Sequence, residues 1–132
     1  MNLSASIKSA YNRHDCVVQT NGTVKSLAIA TKPTGFGSSI NGGELLLLAL
    51  ATCFCNDLYR EAAKRNLAVK EVNVDVTGEF GADGEPGSNF SYTVQVEADA
   101  SRADIEALIR HTDQVAEVQN TLRKGIGITL AT

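Results

Sequence analysis

The stretch from Gly42 to Asn66 constrains the fold more than any other part of the chain. It runs through Leu45-Leu46-Leu47-Leu48-Ala49-Leu50-Ala51, has Thr52 as its one β-branched residue and contains no proline, so propensity and length together predict one long helix. At about 1.5 Å per residue such a helix spans roughly 30 Å, the width of a small domain. Its first half is apolar all round, the pattern of a helix buried on every side. Its second half sets Leu58 and Ala62 against Arg60, Glu61, Lys64 and Arg65, so the helix is expected to start deep and surface late. A chain of 132 residues has too little else to wrap this helix alone, which predicts a homodimer.

The length fits a single domain over residues 1–132. A formal charge of −3, from 12 basic and 15 acidic residues evenly mixed, offers no basic stripe, so neither nucleic acid nor an anionic membrane is an expected partner. The apolar run from Leu45 to Ala51 is too short to cross a bilayer, and Met1-Asn2-Leu3-Ser4-Ala5 lacks the regions of a signal peptide. A cytoplasmic location follows as the expectation. Three cysteines, two of them spaced i, i+2 on the predicted helix, argue for reduced thiols.

Taken in order, Ser4 to Tyr11 reads as an edge strand. Cys16 to Thr20 and Val24 to Ala30 flank Asn21-Gly22, the dipeptide suited to a type I′ hairpin turn. Lys32 to Ser39 is a Pro/Gly/Ser loop whose mobility suits the lip of a site. After the helix, Val69 to Phe80 and Phe90 to Ala98 alternate as strands with one wet face, joined by a polar loop. Ser101 to Asp104 resembles a capping box before a helix carrying Ile105, Leu108 and Ile109; Asp113 is expected to open another, ended by Gly125 before a strand from Ile126 to Leu130. The order is that of an α+β domain whose helix packs on antiparallel sheet.

Three segments carry a resemblance to the OsmC/Ohr family: Glu44-Leu45-Leu46-Leu47 leading into Ala49-Leu50-Ala51-Thr52-Cys53-Phe54; Val69 to Gly78; and Val118-Gln119-Asn120-Thr121-Leu122 before Gly125-Ile126-Gly127-Ile128. The resemblance implies an OsmC-like fold, an intertwined dimer with sheets around two long central helices. It also implies thiol-dependent reduction of organic hydroperoxides. In active members a helix cysteine attacks the peroxide, a second cysteine closes a disulfide, an Arg and a Glu assist, and an external thiol restores the pair.

Carried over, Cys53 matches the attacking cysteine, Arg13 is the nominee for the assisting arginine, and Glu44 is the candidate glutamate. The family's glutamate register falls on Gly43, and Glu44, nine positions before Cys53 and so on the opposite face of a regular helix, reads first as a carboxylate favoured by the dipole at the helix N-terminus. The partner-cysteine register falls on Ala116, which cannot form a disulfide. Cys53 lies roughly 14 Å into its helix, too far for the helix N-terminus to ionise it, so it needs a cation. Asp57, one turn on, is expected to raise the thiol pKa unless Arg60 on the same side neutralises it. Cys55 points about 200° away from Cys53 and reads as a small buried apolar residue, and Cys16 as core. His14, Cys16, Cys53, Cys55 and His111 have no zinc-finger spacing, and Gly35-x-Gly37 and Gly125-x-Gly127 lack a phosphate-loop context, so no metal and no cofactor are expected. Three readings follow: a degenerate peroxidase in which an external thiol reduces the oxidised Cys53, a non-catalytic module holding a small apolar ligand in the dimer crevice, or a structural or interaction protein with no ligand.

Overall fold

The computed structural model describes residues 1–131 and divides into two compact units, Met1–Leu45 and Leu46 onward. The first unit is an antiparallel sheet of β1 (Leu3–Ala10), β2 (Arg13–Thr20) and β3 (Thr23–Ala28), in that order across the sheet. Asn21 and Gly22 both take positive φ, 48° and 84°, the type I′ geometry their dipeptide favours. Cys16 sits opposite Ile7 and Leu27 in the register and is buried, as its place in the alternation implies. The loop after β3 is tied down: Asn12 N–H donates to the Gly35 carbonyl at 2.6 Å, and Ser39 N–H to that of Ala30 at 2.9 Å. Gly35 has φ 87°, and the Tyr11 ring and Asn12 side chain occupy the place a Cβ would need.

The long helix α1 (Gly42–Lys64) starts where its sequence predicts. Asn41 and Glu44 cap it reciprocally: Glu44 N–H donates to Asn41 Oδ1 at 2.8 Å and Asn41 N–H to the Glu44 carboxylate at 3.0 Å. It ends on Asn66 in the left-handed region, with Leu67 N–H donating back to the Ala62 carbonyl.

In the second unit, β4 (Val69–Glu79) and β5 (Ser88–Ala98) form an antiparallel hairpin. Its register sets Val72 opposite Val96, Val74 opposite Val94 and Val76 opposite Tyr92, so one face is apolar throughout. That face packs on Phe54, Leu58 and Ala62 of α1 and on Leu108 of α2 (Arg102–Val115), which together make the core. Ser101 caps α2 by accepting from Asp104 N–H at 3.1 Å. Helix α3 (Glu117–Lys124) ends on Gly125 at φ 68°.

Three expectations need correction. The first half of α1 is not covered on every side: Leu48 is 58% exposed, because a single chain packs only one flank of the helix. Asp113 does not open the third helix. It lies inside α2, its carboxylate taken by Tyr92 and Arg123, and the break falls at Ala116, whose backbone is extended (φ −67°, ψ 109°). Residues 126–130 are not in a strand, and Ile128 and Leu130 are 99% and 89% exposed, because they find no strand partner among the described residues.

Candidate functional site

Phe54 and Leu58 point into the core, which leaves Cys53 and Asp57 on the adjoining flank of α1, beside the α2–α3 junction. Because Ala116 is extended and fully buried, α3 begins against this flank. One of the donors left unpaired by its first turn, Val118 N–H, then points at Cys53 Sγ at 3.5 Å. The same Sγ lies 3.6 Å from Asp57 Oδ2 and 3.7 Å from Glu117 Oε2.

Arg60 ties the two carboxylates together by their other oxygens. Its Nη1 donates to Asp57 Oδ1 at 2.8 Å and to Glu117 Oε1 at 3.1 Å, while its Nε donates to Glu61 at 3.0 Å. Glu61, only 4% exposed, also meets Lys64 and, from α2, His111, each at 2.9 Å. These cationic and hydrogen-bonding partners hold its carboxyl down to about 2: Lys64 most, then Arg60 and His111.

Burial pushes the Cys53 thiol up, and Asp57 and Glu117 add to this; the Val118 N–H acts the other way. Asp57 is pushed up to about 6, by burial first and then by its neighbour Glu117, against the pull of Arg60. Glu117 is lowered, chiefly by its neighbour Asp57, so of the two carboxylates the buried one is the weaker acid. The site is thus a half-buried thiol with a proton acceptor in contact and a guanidinium one bond further out.

The sequence-predicted residues are placed as follows. Cys53 is at the centre of this cluster, with Asp57 and Arg60 on the same side as their spacing implies. Arg13 lies in the first unit, where its Nε pairs with Asp15 at 2.7 Å, and Glu44 serves the N-terminal capping box of α1. Cys55 is half-buried and faces a groove of about 360 Å³ along Val72, Asn73 and Val74, away from Cys53. Glu117 and Val118 were missed. The signal for them was the partner-cysteine register itself, which lands on Ala116 and so puts the next two residues beside the thiol.

Fold and site define a small α+β protein built around one helix-borne thiol among carboxylates, with no second cysteine against it among the described residues. The chain belongs to the OsmC-like protein family, whose model matches residues 35–131. Its fold is shared by an OsmC-like protein from Mycoplasma pneumoniae, at 16% identity and TM-score 0.66, over 95% of this chain and 91% of that one. It is also shared by an organic hydroperoxide resistance protein OsmC from Legionella pneumophila, at 17% identity and TM-score 0.59, over 93% and 90%. A third is the organic hydroperoxide resistance protein OhrB of Bacillus subtilis, at 14% identity and TM-score 0.57, over 95% and 93%. No curated protein sequence matches significantly. No helix among the described residues is long and apolar enough to cross a membrane.

Proposed function

We propose that this chain is a one-cysteine, thiol-dependent reductase of organic hydroperoxides, the whole chain acting as one OsmC-like domain in a homodimer. The observation that carries this reading is the contact of Cys53 Sγ with Asp57 Oδ2 at 3.6 Å. Asp57 accepts the thiol proton as sulfur attacks the terminal peroxide oxygen. The O–O bond breaks, the leaving alkoxide takes that proton, and the products are an alcohol and Cys53 sulfenic acid. Val118 N–H and Arg60 stabilise the transient negative charge. One molecule of an external thiol then attacks the sulfenic sulfur, giving water and a mixed disulfide, and a second releases Cys53 and leaves as disulfide. With Ala116 at the partner register, the reductant comes from outside the chain. Free cysteines suit a cytoplasmic, reducing setting.

The test is a brief pulse of an organic hydroperoxide followed by a sulfenic-acid trap and intact-mass measurement. One trapped adduct on Cys53, absent from Cys53→Ser, is the expected result. An unmodified thiol would remove the reductase reading and favour the second one, a module binding a small apolar ligand. A pocket of about 120 Å³, walled by Leu50, Val76, Phe90, Tyr92 and Leu122, supports that second reading.

The homodimer is supported by apolar side chains that a single chain leaves bare: Leu48 on α1, Leu3, Ile7 and Val24 on the first sheet, and Ile128 and Leu130 near the end. Sedimentation equilibrium is expected to give twice the 14.0 kDa chain mass at micromolar concentration. A mass of one chain there would overturn the dimer.

A further inference from the structure

The spacing of histidines and cysteines gave no metal site, yet a different set of donors converges in the fold: Cys53 Sγ, a carboxylate oxygen of Asp57 and one of Glu117 lie within 4.8 Å of one another. The detail is in which oxygens face the sulfur. Arg60 Nη1 bonds Oδ1 of Asp57 and Oε1 of Glu117, while Oδ2 and Oε2 turn to Sγ at 3.6 and 3.7 Å. The guanidinium therefore orients both carboxylates from behind, as an outer hydrogen-bonding partner does in metal centres, and leaves three donors pointing at one space.

The edge lengths fit a specific geometry. A tetrahedral ion with a thiolate at about 2.3 Å and carboxylate oxygens at about 2.0–2.2 Å has sulfur-to-oxygen edges of roughly 3.5–3.7 Å. Charge points the same way. A thiolate and two carboxylates against one guanidinium leave two negative charges in surplus, the charge of a divalent cation. Asp57 is only 6% exposed, and its two oxygens are held by the Cys53 thiol and by Arg60. Its Oδ2 has the sulfur as its sole partner among the described residues. A thiol has one proton to offer, so it satisfies either Asp57 Oδ2 or Glu117 Oε2 but not both, whereas a cation satisfies both and the sulfur too. Val118 N–H to Sγ then serves as the outer hydrogen bond of a metal thiolate.

We infer that Cys53, Asp57 and Glu117 form a three-donor site for a borderline divalent cation of the zinc class, with Arg60 as its outer clamp and a fourth position open to water. Such an ion and a hydroperoxide compete for the same sulfur, and either activity stands without the other.

The test uses the full chain, reduced and free of peroxide, titrated with cobalt(II) as a spectroscopic stand-in and then with zinc(II). The expected result is one cobalt per chain, a thiolate-to-metal charge-transfer band, the strong visible bands of four-coordination, and displacement by zinc with protection of Cys53 from alkylation. Cys53→Ser loses the charge-transfer band. Glu117→Gln, at a side chain 62% exposed and so harmless to folding, weakens binding at least roughly tenfold, the lower figure for losing even an outer partner. Absence of a sulfur band, or a band that persists in Cys53→Ser, overturns the site. Because no peroxide is present, neither outcome bears on the reductase reading.

Discussion

Replacing Asp57 with asparagine is expected to speed alkylation of Cys53 and yet slow its oxidation by an organic hydroperoxide on the order of 10²-fold, the lower range for losing a positioned acid–base group. The two rates part because they ask different things of the site. Alkylation by a neutral reagent follows the thiolate fraction. The Asp57 carboxylate raises the thiol pKa, so its removal moves the alkylation profile to lower pH and raises the rate at pH 7. The gain is a few-fold only, since burial, the largest cause of the raised pKa, is unchanged. Peroxide oxidation also needs a proton delivered to the departing alkoxide. Asparagine keeps the shape of aspartate but cannot relay that proton. Both rates would be measured on the intact protein at several pH values, with separate reagents. If both moved the same way, Asp57 would be a mere electrostatic neighbour, with no proton-transfer role.

Phe54→Ala is expected to cost about 3–5 kcal/mol, the range for truncating a fully buried aromatic. Phe54 has no solvent exposure, packs beside Leu58 against the β4–β5 face, and places its ring 5.2 Å from that of Tyr92. Since a domain of this size holds roughly 5–15 kcal/mol in all, the variant would be near the edge of folding. Urea unfolding followed by far-UV circular dichroism measures the change. A loss below about 1 kcal/mol would show that α1 is not seated on the hairpin as described.

What could be read from the sequence, and what could not, divides by distance along the chain. The hairpin at Asn21-Gly22, the alternating valines of β4, the Ser101 cap and the Gly125 stop all rest on residues within a few positions of one another, and each took the predicted form. Cys53 with Asp57 and Arg60 was legible for the same reason, since one helical turn fixes their side. Glu117 and Val118 reach Cys53 across 64 and 65 residues, and only the packing of the α2–α3 break brings them there. Asp113 misled because a helix-opening residue type was spent on Tyr92 and Arg123 instead. The segment after Gly125 has the residues of a strand, but a strand also needs a neighbour to pair with.

The carboxylate of Glu61 sits among Arg60, Lys64 and His111 like a hub with three spokes. The tolerance of this network to change is therefore lopsided. Any one spoke can be lost while two remain to satisfy the buried charge, but losing the hub frees Lys64 and His111 together, leaves Arg60 to Asp57 and Glu117 alone, and removes the tie from α1 to His111 of α2. A chain drifting in sequence has room to vary at the rim of this cluster and almost none at its centre.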